Sequence, residues 1–168
     1  MVYRFRRHSE LVTSLLDNTV MSNFAVVRRP NLLRTAFGQT LATPQQAFDE
    51  LLAGVEAGKL PVLDWTWLPV WTLEPAEMAC YRQLFRSLNA GEAACLTIAV
   101  ERGCRVLTDD RDARKLARHL QIPLSGTLGV LARLVDTDHL DIGEADRLLR
   151  GMINAGYRSP VTSLRDLN

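Results

Sequence analysis

Two spacings of apolar residues alternate along the chain. Short apolar runs that end on polar residues predict buried strands in ELVTSLLD (10–17), QTLA (39–42), RVLTD (105–109) and IPLSGT (122–127), and LDWTWLPVWTL (63–73) is also rich in strand-forming residues. Between these runs, apolar residues recur at helical spacing. Strands that alternate with helices predict an α/β fold with a parallel, doubly wound sheet.

The helical stretches differ in how completely they are apolar. Thr43 is predicted to cap the helix after the second strand, Pro44 to lie in its first turn and Gly58 to close it. In contrast, the helix predicted over 90–102 is apolar almost all round and should be buried. The helix between Pro44 and Gly58 is predicted to bury the face that carries Phe48, Leu51, Leu52 and Val55. Other helices are predicted over 18–27, 31–37, 75–88, the stretch carrying Ala113, Leu116, Ala117 and Leu120, 128–135, and the run around 148–153.

Composition places these elements in one globular domain. The chain has 168 residues, 47% of them hydrophobic, and no apolar run reaches the ~20 residues that a membrane helix needs. Cys80, Cys95 and Cys104 form no C-x-x-C pair, which favours free thiols in a reducing compartment. We therefore expect a cytoplasmic protein with a single domain over residues 12–168. The basic residues 1–11 would form an extension, for which disorder is the favoured expectation.

Candidate chemistry lies in the acidic residues, because the net charge of +1 indicates no global attraction to nucleic acid. Asp17, Asp109 and Asp110 follow predicted strands, and the carboxyl ends of parallel strands form the ligand-binding edge of open α/β sheets. Each also has a structural explanation, since Asp17 can cap the following helix and one of the adjacent pair can cap the next. Asp110 is spaced to pair with Arg114. One cap is enough for one helix, so the second aspartate of the pair remains to be explained.

Two glutamates on predicted helices extend this set. Glu50 lies off the apolar stripe of its helix, as does Asp49, so periodicity alone predicts that both side chains are solvated. Glu92 stands three residues after Asn89 at the start of helix 90–102, which is the spacing of a capping box. Because that helix is predicted to be buried, its first-turn carboxylate should lie at the rim of the core, where capping and metal binding can coexist.

Several carboxylates without clustered His or Cys suit a hard cation. Mg²⁺ and Mn²⁺ prefer oxygen ligands and also bind substrate phosphates, and two such ions ~3.5–4 Å apart can promote phosphodiester hydrolysis. Zinc is disfavoured because the three histidines, at positions 8, 119 and 139, are scattered. The acidic pattern therefore predicts a Mg²⁺ or Mn²⁺ site.

Longer motifs around these acids resemble those of PIN-domain nucleases. LLDNTVMSNF is similar to the family's first strand, which ends in an acid, and TPQQAFDELLAG is similar to the helix that carries its second acid, here Glu50. NAGEAACLTIAVERGCRVLTDDRDARKLA resembles the branch in which a G-E-A motif supplies the third acid, Glu92, and an L-x-D-D/E-x-x-A-R motif the fourth, Asp109. The resemblance extends from residue 12 to the C-terminus and includes VapC-type toxins.

This resemblance implies a PIN-like three-layer α/β/α fold with a central parallel sheet of about five strands and a helical C-terminal region. It also implies a metal-dependent endoribonuclease, with Mg²⁺ or Mn²⁺ as cofactor and RNA as substrate. Glu50 would orient the attacking water. The catalytic acids carried over are Asp17, Glu50, Glu92 and Asp109, with Asp110 as an alternative fourth ligand or a supporting carboxylate, and the metal ligands are drawn from Asp17, Glu92, Asp109 and Asp110.

Expectations for substrate and partners follow from the same resemblance. Arg111, Arg114 and Thr19 are candidate substrate contacts, although ordinary ion pairs on the helix surface are the alternative for the arginines. The resemblance implies a homodimer, with the tryptophan stretch 65–71 as one candidate contact surface. It also allows a role as the toxin of a toxin–antitoxin pair, with a cognate antitoxin protein as partner. The alternative function is a catalytically inactive PIN-like module that binds protein or RNA, and the presence of all four acids weighs against it.

Overall fold

A parallel sheet lies at the centre of the computed structural model, which describes residues 12–167. Its strands have the order β3-β2-β1-β4-β5, and every neighbouring pair is parallel. The strands are Ser14–Leu16 (β1), Leu41–Pro44 (β2), Val70–Trp71 (β3), Arg105–Leu107 (β4) and Leu124–Ser125 (β5). The predicted α/β fold with about five parallel strands is confirmed. The predicted extension over residues 1–11 lies outside the described residues.

Eight α-helices surround the sheet within the described residues. Helix α5 contacts α3, α4 and α6, whereas α7 contacts α2 and α8, and α1 contacts both α3 and α8. The predicted helical C-terminal region corresponds to α7 and α8. No helix in residues 12–167 is long and apolar enough to span a membrane. The helices are Asn18–Val26 (α1), Asn31–Phe37 (α2), Gln45–Glu56 (α3), Met78–Leu84 (α4), Ala90–Arg102 (α5), Arg111–His119 (α6), Thr127–Asp136 (α7) and Ile142–Asn154 (α8).

Helix α5 is the element that the apolar pattern predicted best. Its bounds coincide with the predicted ones, and every residue from Gly91 to Ala99 is buried. Asn89 and Glu92 form the predicted capping box. A helix that is apolar on all sides is therefore enclosed on all sides, and it places the Glu92 carboxylate at the rim of the core.

Thr43 was predicted to cap α3 but belongs to β2. Its hydroxyl donates a hydrogen bond to the backbone carbonyl of Leu16 on β1 at 2.8 Å, and Pro44 takes the N-cap position of the helix. A buried hydroxyl must find a partner, and here the neighbouring strand supplies one before the helix begins. The predicted cap was wrong, while the helix itself is confirmed.

The buried face of α3 is shifted from the predicted one. Leu52 was placed on that face, but it is 42% exposed, and the buried residues of the helix are Ala47 and Leu51. Ala47 lies in the contact between α3 and α5, where its Cα would be 3.0 Å from a Cβ atom at Gly91. Small side chains permit this approach, and they contribute little to a hydrophobic stripe read from the sequence.

The tryptophan-rich stretch forms less strand than predicted. Only Val70–Trp71 pair with β2, and Trp65 and Trp67 stack in the preceding loop with ring centroids 5.9 Å apart. Contacts between aromatic rings therefore take the place of strand pairing there. The helix predicted over 75–88 is likewise shorter, because it begins as a 3-10 turn over Pro75–Glu77 and α4 ends at residue 84.

Candidate active site

The acidic residues lie where the strand order of the sheet reverses. From β1 the chain continues to β2 and β3 on one side, whereas β4 and β5 lie on the other side of β1. Such a reversal opens a crevice at the carboxyl ends of the two central strands. The backbone N–H of Asp17, directly after β1, donates to the carbonyl of Leu107 at the end of β4 at 3.0 Å. Asp17 therefore lies beside the turn that carries Asp109 and Asp110.

Asp17 has one carboxylate oxygen that is hydrogen-bonded and one that is not. Its Oδ2 accepts hydrogen bonds from the hydroxyls of Thr19 and Thr108, both at 2.8 Å. Its Oδ1 is buried without a hydrogen-bond partner among residues 12–167. Asp17 occupies the N-cap position of α1, but its side chain makes no capping hydrogen bond, so the capping explanation was wrong. A buried carboxylate oxygen of this kind needs a cation or a water molecule as partner.

Thr19 and Thr108 join Asp17 to the turn after β4. The backbone N–H of Asp109 donates to the Thr19 hydroxyl oxygen at 3.0 Å, and that of Asp110 donates to the Thr108 hydroxyl oxygen at 3.2 Å. Each hydroxyl therefore accepts from the turn and donates to Asp17. Thr19 was predicted as a substrate contact, but its hydroxyl proton is used to orient Asp17.

Glu50 reaches α5 across the face where α3 and α5 meet. Its Oε1 accepts a hydrogen bond from the backbone N–H of Gly91 at 2.9 Å. A Cβ atom at position 91 would lie 2.7 Å from Oε2 of Glu50 and 3.0 Å from Cα of Ala47, so any side chain there would displace Glu50 or α3. Periodicity predicted a solvated Glu50, and this was wrong, since Glu50 is half-buried while Asp49 is exposed.

Glu92 caps α5 and also contributes a carboxylate to the crevice. It accepts hydrogen bonds from the backbone N–H of Asn89 at 3.2 Å and from the side-chain amide of Asn89 at 2.8 Å. Burial raises the pKa of Glu92 to about 7, and the negative charges of Asp110, Asp17 and Glu50 add to the rise. The predicted capping role of Glu92 is confirmed, and its coexistence with metal binding stays a prediction.

We call Asp17, Glu50, Glu92 and Asp110 the acidic cluster. Burial raises the pKa of Asp17, and burial together with the charge of Asp17 raises the pKa of Glu50. Cys95, one turn along α5 from Glu92, has a raised pKa because of burial and the charges of three of these acids. The carboxylates therefore share one region in which they repel each other, and positive charge placed there would be stabilising.

The two adjacent aspartates have different surroundings. Asp110 is the N-cap of α6, where its Oδ1 accepts hydrogen bonds from two backbone N–H groups of the first turn at 2.8 and 2.9 Å. Asp109 uses both oxygens, since Oδ1 accepts from the backbone N–H of Thr127 at 2.9 Å and Oδ2 from the side-chain amide of Asn23 at 3.0 Å. Asp110 thus belongs to the acidic cluster, whereas Asp109 joins β4 to α1 and α7.

The acidic cluster fits a hard divalent cation. Its donors are all carboxylate oxygens, the type that Mg²⁺ and Mn²⁺ prefer. Oδ1 of Asp17 has no hydrogen-bond partner among the described residues, and the charges of Asp110, Asp17 and Glu50 act on Glu92, so a cation among these carboxylates would relieve their repulsion. Among the described residues, no three Asp, Glu, His or Cys side chains are placed so that they could together hold a metal ion directly. A cation bound through one or two carboxylates and several waters, as is usual for Mg²⁺, suits this spacing.

The two predicted arginine contacts differ in availability. Arg111 is exposed at the start of α6, beside Asp110. Arg114 donates through Nη1 to one backbone carbonyl after β4 and one at the end of β5, at 2.8 and 3.1 Å. The predicted ion pair between Asp110 and Arg114 is not formed, because the guanidinium satisfies these strand-end carbonyls instead. In the described part of the chain, the ion pairs are those of Arg102.

Two members of the acidic cluster, Glu50 and Asp110, line a groove with a volume of about 990 Å³, together with Asp109. Its walls are α1, the second half of α3 with the turn that follows, the start of α6 and the segment after α8. Tyr157, in that last segment, donates from its hydroxyl to Oδ1 of Asp109 at 3.4 Å. The residues that line the groove are Asn18, Thr19, Ser22, Asn23, Val26, Glu50, Ala53, Gly54, Ala57, Lys59, Leu60, Asp109, Asp110, Arg111, Ala155, Gly156, Tyr157 and Arg158.

Several of these lining residues were missed by the sequence analysis. Asn18, Ser22 and Asn23 form, with Thr19, a polar stripe at i, i+1, i+4 and i+5 on an otherwise apolar helix, and this stripe was a usable signal. Lys59 and Arg158 gave no such signal, because each lies in a loop and the two loops are far apart in sequence.

The raised pKa of Glu92 predicts that the metal-free protein loses stability as the pH rises. An unperturbed glutamate has a pKa of 4.5, whereas the pKa of Glu92 in the folded protein is about 7, so the folded state binds more protons between these values. The stability from this group is fully present below about pH 4.5 and is lost as the pH rises through 7. In thermal melts with EDTA between pH 5 and 8, the melting temperature of Glu92→Gln should therefore rise relative to that of wild type as the pH increases. Glutamine keeps the capping acceptor, and a pH-independent difference would contradict the raised pKa.

Comparisons with known proteins bear on the fold. The model of a family described as a PIN domain, DUF3368, matches residues 13–167. Among solved structures, the crystal structure of PAE2754 from Pyrobaculum aerophilum is similar, with a TM-score of 0.50 and 17% sequence identity, over 74% of this chain and 98% of that one. Identity this low indicates a shared fold alone. No curated protein matches the sequence.

Proposed function

Since this chain belongs to the PIN domain family, whose members are generally nucleases, we propose that it is a Mg²⁺- or Mn²⁺-dependent endoribonuclease. The observation that carries the proposal is the acidic cluster at the carboxyl ends of β1 and β4, with the partnerless Oδ1 of Asp17. Repelling carboxylates of this kind attract a hard cation, and such a cation also binds phosphate oxygens. The proposed reaction is therefore the hydrolysis of internal phosphodiester bonds of RNA.

We assign Asp17 and Glu92 as direct ligands of the cation and Asp110, whose Oδ1 caps α6, as a contact through water. When bound there, it supplies positive charge that stabilises the attacked phosphate and its leaving oxygen. Thr19 and Thr108 fix Oδ2 of Asp17 by hydrogen bonds, so Oδ1 is the oxygen that would be available to a cation. We assign Asp109 a positioning role instead, because both of its oxygens already accept hydrogen bonds.

Glu50 is the proposed proton acceptor. The N–H of Gly91 holds Oε1, which leaves Oε2 to take a proton from the attacking water. Burial and the charge of Asp17 raise the pKa of Glu50 above its usual value, which makes this carboxylate a stronger proton acceptor than an exposed glutamate. The hydrogen bond between Glu50 on α3 and Gly91 on α5 therefore determines which carboxylate oxygen accepts the proton.

We expect the purified protein to cut a panel of single-stranded and structured RNAs with Mg²⁺ or Mn²⁺ and to lose this activity in EDTA. Gel analysis of end-labelled RNA should show internal fragments. Equal degradation with and without EDTA would contradict the metal mechanism, and release of mononucleotides alone would contradict endonucleolytic cleavage. Thermal melts give an independent measurement, since a ligand at 100 times its Kd stabilises the folded state by about 2.7 kcal/mol.

The resemblance to VapC-type toxins supports a finer proposal, that the protein acts as a toxin, forms a homodimer and binds a cognate antitoxin. In the tryptophan stretch, Trp65 is buried while Trp67 and Trp71 are partly exposed, so only the latter two are available to a partner. A monomeric mass by analytical ultracentrifugation would refute the dimer. The alternative remains a catalytically inactive module that binds protein or RNA, and the presence of all four acids implied by the resemblance, Asp17, Glu50, Glu92 and Asp109, weighs against it.

A further inference from the structure

The groove beside the acidic cluster is longer than a cation site needs. Its lining residues extend from Asn18 to Val26 along α1 and from Glu50 to Ala57 along α3, a length of roughly 10–12 Å at about 1.5 Å per residue. Its volume of about 990 Å³ lies at the upper end of the range for small-molecule sites, ~300–1,000 Å³. A hydrated cation fills a small part of this space, and the rest is available to the substrate.

Exposed cations line the groove although the net charge of the chain is only +1. Lys59 follows α3, Arg158 follows α8 and Arg111 begins α6. None of the three forms an ion pair within residues 12–167. Lys59 and Arg158 also lie beyond the last turns of α3 and α8. The negative ends of these helix dipoles therefore do little to stabilise the two positive charges. Cations that lack an acidic partner, next to carboxylates that need a cation, suit a chain of phosphates that continues past the cluster.

We infer that this groove binds the unpaired RNA nucleotides next to the cleaved bond, with Lys59 and Arg158 as their phosphate contacts. The inference rests on the proposed function and identifies the substrate-binding residues of the same site. Asn18, Ser22 and Tyr157 line the groove with amide and hydroxyl groups, and the Ser22 hydroxyl donates a hydrogen bond to Oδ1 of Asn18 at 2.9 Å. Such groups recognise ribose hydroxyls and base edges that are accessible in single-stranded RNA and hidden in a duplex.

The test compares two double variants that each remove two positive charges. Lys59→Ala/Arg158→Ala changes the groove, and Arg82→Ala/Arg118→Ala is the matched control, because both of its residues are exposed and lie outside the groove. Binding of a labelled single-stranded RNA is measured by fluorescence anisotropy with Mg²⁺ at 0.05–0.4 M salt. Both variants carry Asp17→Asn, so that the RNA stays intact.

For the groove variant, we expect the slope of log affinity against log salt concentration to be shallower by about 1.4. This is the change that the loss of two phosphate contacts produces with a single strand. At 0.1 M salt this corresponds to roughly 25-fold weaker binding, and the control should match its parent. Each single groove variant should account for about half of the change in slope. With Asp17 intact, the groove variant should show a raised KM with little change in kcat.

A groove variant that binds RNA like the control overturns the inference, and the proposed function then stands if the wild type still cuts RNA. If the wild type cuts no RNA, the proposed function fails. The salt slopes still report in that case whether Lys59 and Arg158 contact RNA, so the two failures are distinguishable.

Discussion

The Asp17→Asn protein should lose RNA cleavage by more than ~100-fold while remaining folded. Asparagine keeps the shape of the side chain but removes the charge that would hold the cation. Loss of an outer-sphere partner of a metal site costs about 10–100-fold, so loss of a direct ligand should exceed this. Single-turnover cleavage with saturating Mn²⁺ measures the effect. The metal-free melting temperature should not fall, because burial disfavours the aspartate charge and raises its pKa.

Asp112→Asn is the matched control, since Asp112 is exposed in the first turn of α6 and lies outside the acidic cluster. Its cleavage rate should equal that of wild type, whereas Glu92→Gln should behave like Asp17→Asn. Wild-type rates in both cluster variants would show that the catalytic centre lies elsewhere. If the protein is a toxin, induction of the wild-type gene should arrest growth, and induction of the Asp17→Asn gene should not.

The Gly91→Ala protein should lose both stability and activity. The added Cβ would lie 2.7 Å from Oε2 of Glu50 and 3.0 Å from Cα of Ala47, so Glu50 must leave the Gly91 N–H or α3 must move. Overpacking of this kind costs about 1–3 kcal/mol of unfolding free energy. A displaced general base should reduce kcat by ~10²–10⁴-fold. Urea unfolding and single-turnover cleavage measure the two effects.

Gly103→Ala is the control variant, because it adds backbone strain at the end of α5 without displacing Glu50. Gly103 follows the same helix with φ +72°, and a Cβ there would meet no atom within 4 Å. We expect this variant to lose about 1–2 kcal/mol through the strained backbone while keeping full cleavage activity. Full activity of Gly91→Ala would contradict the role of the contact between Glu50 and Gly91.

Local sequence pattern predicted the part of the site that depends on strands. Asp17, Asp109 and Asp110 come directly after apolar runs, and parallel strands bring such residues to one edge whatever the rest of the chain does. Glu92 was equally accessible, because the capping box and the buried helix are both local features. These residues needed no knowledge of tertiary packing.

The remaining features depend on contacts between distant segments. Helical periodicity placed Glu50 in solvent, because it reports the apolar face of one helix and not the position of its neighbour α5. The choice between Asp109 and Asp110 was open for the same reason, since the partners of Asp109 on α1 and α7 are 86 and 18 residues away. Lys59 and Arg158 line the same groove only because α1, α3 and α8 pack together. No local sequence pattern indicates that these two residues are close in space.

The central position of β1 also determines when the acidic cluster can form. The Asp17 carboxylate accepts a hydrogen bond from Thr108, which lies 91 residues later in the chain. A contact between residues so far apart in sequence requires a long loop to close, which slows folding. During synthesis, Asp17, Glu50 and Glu92 emerge first, and the turn with Asp110 completes the cluster only after β4 has been made. An RNA-cutting enzyme built in this way would remain inert until most of its own message had been translated.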